Sequence, residues 1–136
     1  MVASVMRNKQ SLFLAEARNQ SYLGDDGLVY AFYVGDQTVQ IVNETVEQTA
    51  RALEEAKKQN KKGYVLVDIS KIGEIESGGR RAGFEGARAL KYEKLAVFGE
   101  PSPFLRNVAS LVIKAVGLNK VKLFNTREEA VKWLRL

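Results

Sequence analysis

The stretch "DISKIGEIESGGRR", residues 68–81, gathers hydroxyls (Ser70, Ser77), carboxylates (Asp68, Glu74, Glu76), paired glycines (Gly78, Gly79) and guanidiniums (Arg80, Arg81). Hydroxyls and carboxylates can serve nucleophilic or acid–base chemistry. That chemistry needs a base held against the nucleophile, or two acids in unlike environments. The chain has no histidine and no cysteine, so the commonest general base and the thiolate nucleophile are both excluded. No nucleophile–base–orienter set can be assembled from what remains. Glu74, Glu76 and Glu85 read as solvated surface, because nothing in the sequence sets their environments apart. Gly78-Gly79-Arg80-Arg81 admits two readings. Free backbone N–H groups at a helix start could hold an anion, with the arginines adding charge-assisted hydrogen bonds. Alternatively, the glycines allow a tight turn and the arginines face water. The spacing fits neither a phosphate-binding loop nor a dinucleotide fingerprint. Asp68 closes a β-branched run, and open α/β sheets bind ligands at such strand ends. An Asp there also bonds backbone N–H groups of its own loop.

At 136 residues, 46% apolar and 27% charged, the chain fits one globular domain. The absence of cysteine excludes disulfides and thiolate metal sites and points to the cytoplasm. No cofactor or metal is expected. The start, "MVASVMRNKQ", lacks the apolar run of a signal peptide. No segment reaches the roughly 18 apolar residues of a membrane span. Net charge is +5, unevenly placed: residues 1–50 carry 3 basic and 6 acidic side chains, leaving 18 and 10 for residues 51–136. The basic half could favour anionic partners, but many of its cations fall at helix ends or on exposed helix faces. Without aromatic–basic interleaving, nucleic acid is not expected as a partner.

The elements that must position these residues begin as strands. "QSLFLAEA" (10–17) and "LVYAFYV" (28–34) are rich in strand formers, with "GDDG" (24–27) as a turn. Gly35-Asp36 resembles a two-residue hairpin connection into "QTVQIV" (37–42). From residue 43 the apolar spacing of Val46, Ala50, Leu53 and Ala56 predicts a helix, capped at Asn43 or by Thr45 with Gln48. It ends in "KKQNKKG", where positive charge suits the helix dipole. Strand then alternates with helix: strands 63–69, 94–99 and 120–124, helices near 79–91, 103–116 and 127–135. Thr126 and Glu129 form a capping box for the last helix. The predicted architecture is α/β: a single mixed sheet with antiparallel N-terminal strands, a parallel core and helices mainly on one face.

The helix near 103–116 carries a second candidate surface. Leu105, Val108, Ala109, Val112 and Val116 make its core stripe, and Phe104, Leu111, Ala115 and Ile113 widen it. The apolar arc is roughly 200°, where a surface helix needs roughly 100°. Either the sheet and its neighbours cover it, or part meets a second subunit, a partner protein or a hydrophobic ligand. Small residues in "RRAGFEGARAL" (80–90) would allow close approach of that helix.

These residues resemble a family. In STAS domains a buried strand ends at an Asp, and an acid-Ser-Ser/Ala-Gly element opens the next helix. Asp68, Ser70, Glu76, Ser77, Gly78 and Gly79 match that order. Ala96, Val97, Gly99, Phe124, Glu128, Glu129, Ala130, Trp133 and Leu134 resemble the tail of the SpoIIAA-like, or STAS/SEC14-type, branch. The resemblance spans roughly residues 10–136. It implies a non-enzymatic regulatory or binding module. In the anti-sigma-factor antagonists a loop serine is phosphorylated, and up to two added negative charges near a helix start switch docking. That serine falls on Gly78 here, leaving Ser77, and Glu76 stands in place of the usual Asp.

Two functions follow as expectations. The first is a protein partner docked on the 70–81 loop (Asp68, Ser70, Ser77, Gly78, Gly79, Arg80, Arg81) and on Phe104 and Leu111, with self-association as a homodimer. The second is carriage of a small lipid-like or anionic ligand between sheet and helices, with Arg80 or Arg81 at the mouth.

Overall fold

The computed structural model describes residues 18–99 and 119–136. Within them the chain runs β1 (Gln20–Leu23), β2 (Val29–Gln37), α1 (Val39–Lys58), β3 (Tyr64–Ile75), α2 (Ser77–Ala89), β4 (Lys94–Phe98), β5 (Val121–Phe124) and α3 (Arg127–Leu134). The strands form one sheet in the order β1-β2-β3-β4-β5. β1 is antiparallel to β2, and every later pair is parallel. The strand expected over 10–17 and the helix over 103–116, with Phe104 and Leu111, lie outside the described residues.

The antiparallel start turns where "GDDG" predicts. Gly24 N–H donates to Leu28 O at 2.8 Å, Gly27 adopts φ +84°, and Asp26 Oδ1 accepts from Leu28 N–H at 3.0 Å. The second hairpin does not form. β2 runs through Gly35-Asp36 to Gln37, and Gly35, at φ +74°, sits inside a paired strand. "QTVQIV" is no strand either. Thr38 caps α1 by accepting from Ile41 N–H at 3.2 Å, so the helix starts at Val39 and not near 43. Thr45, expected at a cap, is buried in the helix interior. The alternation of Val39 and Ile41 suggested a strand, but on the helix both face outward and Val42 faces in.

The polar run 70–75 is likewise strand rather than loop. Between Phe32↔Asp68 and Val34↔Lys71, and again between Gly35↔Ile72 and Gln37↔Ile75, β3 uses one more residue than β2. These are β-bulges, and each frees an N–H. Aspartates take up both: Asp68 Oδ1 accepts from Ser70 N–H at 2.8 Å, and Asp36 Oδ1 from Glu74 N–H at 2.9 Å.

Side-chain alternation along the strands divides the core. Val29, Val65 and Leu95 pack under Ala52, Leu53 and Ala56 of α1, with α2 alongside α1. Leu28, Leu66 and Ala96 face the other way, under Ala130 and Leu134 of α3. Thr126 accepts from Glu129 N–H at 3.2 Å, as the capping box predicts for that helix.

A buried polar network joins β1, β2 and α1. Asn19 Nδ2 donates to Gln37 Oε1 at 2.7 Å and to Thr45 Oγ1 at 2.9 Å. Asn19 Oδ1 accepts from Val34 N–H at 2.8 Å and from Gln37 Nε2 at 3.0 Å. Ser21 Oγ and Thr49 Oγ1, 2.7 Å apart, extend it along α1. Removing Asn19 takes from Gln37 Oε1 and Val34 N–H the partner shown for each, while Gln37 Nε2 and Thr45 Oγ1 keep others. A part-buried polar group left unpaired costs about 1–3 kcal/mol. Asn19→Ala is therefore expected to lower the unfolding free energy by about 2–4 kcal/mol. Urea unfolding with an unchanged slope measures this; a loss under about 0.5 kcal/mol would show the network to be dispensable.

Candidate functional site

The residues singled out in 68–81 separate into two groups. Asp68, expected at a strand end, lies partway along β3, between Phe32 of β2 and Phe98 at the end of β4 in register. Its bond to Ser70 N–H is the local one expected of an Asp at this place. Gly99, at φ +91°, passes so close that a Cβ there would lie 2.7 Å from Ser70 N and Cβ. Ser77 lies beyond Ile75, the end of β3. Five extended steps from Ser70 to Ile75, at about 3.3 Å each, put roughly 16 Å between the groups. Asp68 and Ser70 therefore do not assemble with Ser77.

The second group is built by the meeting of two helix starts. Glu76 N–H donates to Gln37 O at 3.1 Å, and Glu76 Oε2 accepts from Val39 N–H at 3.2 Å. The acid of the motif thus satisfies a free N–H of α1 rather than capping its own helix α2. Ser77 opens α2 and is exposed. Gly78 and Gly79 form no turn: both lie in the first turn of α2, and neither adopts positive φ. A Cβ on Gly78 would lie 2.6 Å from Val39 Cγ2, and one on Gly79 3.2 Å from Gln37 O. Small residues continue along this face: Ala82 is buried, and a Cβ on Gly86 would lie 2.7 Å from Val46 Cγ2. The close approach expected of "RRAGFEGARAL" is realised, against α1. Arg80 is half-buried and Arg81 exposed, with no ion pair or hydrogen bond to either among the described residues.

Sequence reasoning missed two surfaces. Val39, 40% exposed, stands beside Glu76 and Gly78, and Ile41, 37% exposed, lies further round the first turn of α1. Their period-2 spacing fitted a strand; Thr38 as an N-cap was the signal that could have placed them on a helix. On the α3 face, Tyr22, Tyr30 and Phe32 lie within 27° of parallel, their ring centroids 5.7–6.0 Å apart. The Tyr30 hydroxyl donates to Asp26 and accepts from Arg127 Nη2 at 3.2 Å. Burial works against the charged form of Asp26, but the bonds from Tyr30 and Leu28 and the charge of Arg135 outweigh it and hold the carboxyl below its ordinary range. Burial, then the bond to Asp26, pushes the Tyr30 hydroxyl up. Burial pushes the Tyr33 hydroxyl up to about 12.

A family model described as SpoIIAA-like matches residues 29–135. The chain belongs to the SpoIIAA-like family. Its fold is shared with an uncharacterized DUF3478-family protein of SpoIIAA-like fold from Shewanella loihica PV-4. That match has 21% identity and a TM-score of 0.55, covering 85% of this chain and 91% of that one. The anti-sigma factor antagonist SpoIIAA in its unphosphorylated form matches at 19% identity and a TM-score of 0.55, covering 86% and 97%. No curated protein matches. In this SpoIIAA-like domain no helix of the described residues is long and apolar enough to cross a membrane.

The packing of α2 on α1 gives substitutions of opposite sign. Gly86→Ala drives a methyl into Val46 and is expected to destabilise by about 1–3 kcal/mol despite better helix propensity. A Cβ on Gly83 meets only Val42 Cγ1, at 3.9 Å, so Gly83→Ala is expected to stabilise by up to about 1 kcal/mol. Thermal unfolding of the two variants side by side checks this; equal shifts would refute the close-packed face. Tyr33 gives a pH dependence. Its folded value of about 12 exceeds the ordinary 10.0, so its contribution is complete below pH 10.0 and is lost as pH rises through about 12. Tyr33→Phe should flatten that alkaline loss, read by unfolding at stepped pH; an unchanged slope would assign the loss elsewhere.

Proposed function

We propose that this SpoIIAA-like domain is a non-enzymatic regulatory module that docks a protein partner where α1 and α2 begin. The observation that carries this is the exposed apolar side chain of Val39, 40% exposed and beside Glu76 at the start of α2, with Ile41, 37% exposed, further round the same first turn of α1. Apolar side chains set among polar ones in this way suit a protein contact. Arg80 and Arg81 on the first turns of α2 supply charge at the rim, where it guides encounter more than it adds affinity. The likeness of fold to an anti-sigma factor antagonist supports a regulatory role. The lack of histidine and cysteine supports action by contact rather than bond-making. Cysteine-free composition favours a cytoplasmic setting.

The serine switch of the resemblance takes a different form here. Val39 occupies the space that a side chain at position 78 would need. Ser77, one residue earlier and exposed, is the hydroxyl left at this surface.

A photo-crosslinking residue at position 41 tests the surface, with a second at Lys62, exposed beyond the other end of α1, as comparison. A discrete adduct is expected from position 41 and none from position 62. Val39→Glu should reduce the adduct about tenfold, as expected for loss of roughly 1.4 kcal/mol of contact. Equal labelling from both positions would overturn the docking surface. Sedimentation equilibrium then tells a second copy from a different protein.

A further inference from the structure

Among the described residues, the sheet face beneath α3 is covered on one side only. Among the strands, α3 packs chiefly on β3, β4 and β5, and beside it lies an open concavity of about 520 Å³ lined by Tyr22, Gly24, Asp25, Asp26, Tyr30, Phe32 and Arg127. Tyr22 is 45% exposed. Three near-parallel rings with almost equal centroid separations of 5.7, 6.0 and 5.9 Å cannot be a pile, in which the outer pair would be twice as far apart. They form a slab. Tyr22↔Tyr30 and Gln20↔Phe32 are cross-strand partners, so the slab spans β1 and β2 on one side of the sheet.

One strand further in, Phe32 is the register partner of Asp68. Asp68 lies two regular steps beyond Leu66, which faces α3, so its carboxylate shares that face with the rings. Phe98 flanks it on the far side. One carboxylate oxygen accepts from Ser70 N–H; the other has no partner among the described residues. Charge around the rings is divided. Arg127 is bonded to the Tyr30 hydroxyl, which itself donates to Asp26, and Arg135 Nη2 donates to Asp26 O at 3.4 Å, so both guanidiniums are engaged around Tyr30 and Asp26. Asp25 on one rim and Asp68 on the other are left without a cation among the described residues. In a chain of net charge +5 this is a locally acidic, aromatic surface.

We infer that this surface is a binding site for a small organic ammonium ion with an apolar body, the body resting on Tyr22, Tyr30 and Phe32 and the ammonium reaching Asp68. Ring faces attract cations as well as apolar groups. A carboxylate with a spare lone pair beside them fixes the charged end. An anion would find its one guanidinium already engaged and Asp25 and Asp26 beside it. The site lies beside α3 on the sheet face opposite α1 and α2, so it stands or falls independently of the docking surface.

Titrating the ¹⁵N-labelled protein with 2-phenylethylammonium, neutral 2-phenylethanol and anionic 3-phenylpropionate tests it by amide shifts. The ammonium is expected to shift Tyr22, Tyr30, Phe32 and Asp68 saturably at millimolar concentration, at least about fivefold more tightly than the alcohol or the anion. Asp68→Asn keeps an oxygen for Ser70 N–H and should bring the ammonium down to the affinity of the alcohol while leaving the alcohol unchanged. Tyr22→Ala should weaken both. Three results would overturn the site: no saturable shift at these four residues, an anion that binds best, or an Asp68→Asn protein that binds the ammonium as before. The comparison of the three probes on the unaltered protein decides the matter even if a variant fails to fold.

Discussion

Between the pairs Phe32↔Asp68 and Gln37↔Ile75, β2 takes five steps and β3 takes seven. Two strands held together over that span cannot both be regular, and the two surplus residues of β3 must leave the ladder. N–H groups that leave the ladder turn to another acceptor, a side chain or water. Asp68 accepts from Ser70 and Asp36 from Glu74, one acid from the bulged strand and one from its neighbour. Gly73 is tied to the same solution, because a Cβ there would collide with Asp36 Oδ1. Bulges bend and twist the strand that carries them. Here they deliver the end of β3 to the start of α1, where Glu76 meets both Gln37 O and Val39 N–H.

The other side of that junction is held by Gln37. Its side chain is 1% exposed, and its Nε2 donates to Val34 O, Gly35 O and Asn19 Oδ1. β2 passes into α1 within the single residue Thr38, and the amide of Gln37 satisfies carbonyls that the change of direction leaves short of donors. With α1 fixed at its first turn, Val39 comes down on Gly78 and Val46 on Gly86, and α2 can lie close only because glycine occupies both positions. Packing of this kind responds to single methyl groups, since interiors are filled as densely as crystals. Gly78 and Gly79, at the start of α2, are also part of a helix interface. Val39, Ile41 and Ser77 remain exposed.

What the sequence disclosed follows from the strength of local signals. β4, β5 and α3 were legible because apolar runs, a capping box and charge placement all agree there. The family was legible from the order of weak motifs, and Asp68 bonds where the residue type suggests. Residues 37–42 misled because Val39 and Ile41 alternate as in a strand, while Thr38, which decides the matter, was passed over in favour of Thr45. Gly35-Asp36 has the composition of a hairpin turn, yet the partner strand is β3 in parallel rather than the next residues in sequence. Ser70 to Glu74 are polar and glycine-containing, which is how a bulged strand and a loop look alike; only the pairing with β2 separates them. The role of Gly78 and Gly79 could not be read locally, since Val39 and Gln37 lie far from them in sequence.

The openness of the aromatic face is a matter of width. A helix with its side chains is about 10–12 Å across, whereas five strands about 4.8 Å apart span about 19 Å. α3 therefore covers the β3–β5 side and cannot also cover β1 and β2. Its arginines reach across the gap instead, Arg127 to the Tyr30 hydroxyl and Arg135 to Asp26 O, tying both ends of the helix to the first hairpin. Lys94 Nζ donates to Trp133 O at 3.0 Å and lies over the Trp133 ring, fixing the helix end from beneath. The helix is thus anchored on polar contacts at its margin and apolar ones at Ala130 and Leu134. It cannot slide over the rings without breaking both sets, so the slab remains uncovered by α3 as a consequence of how that helix is held.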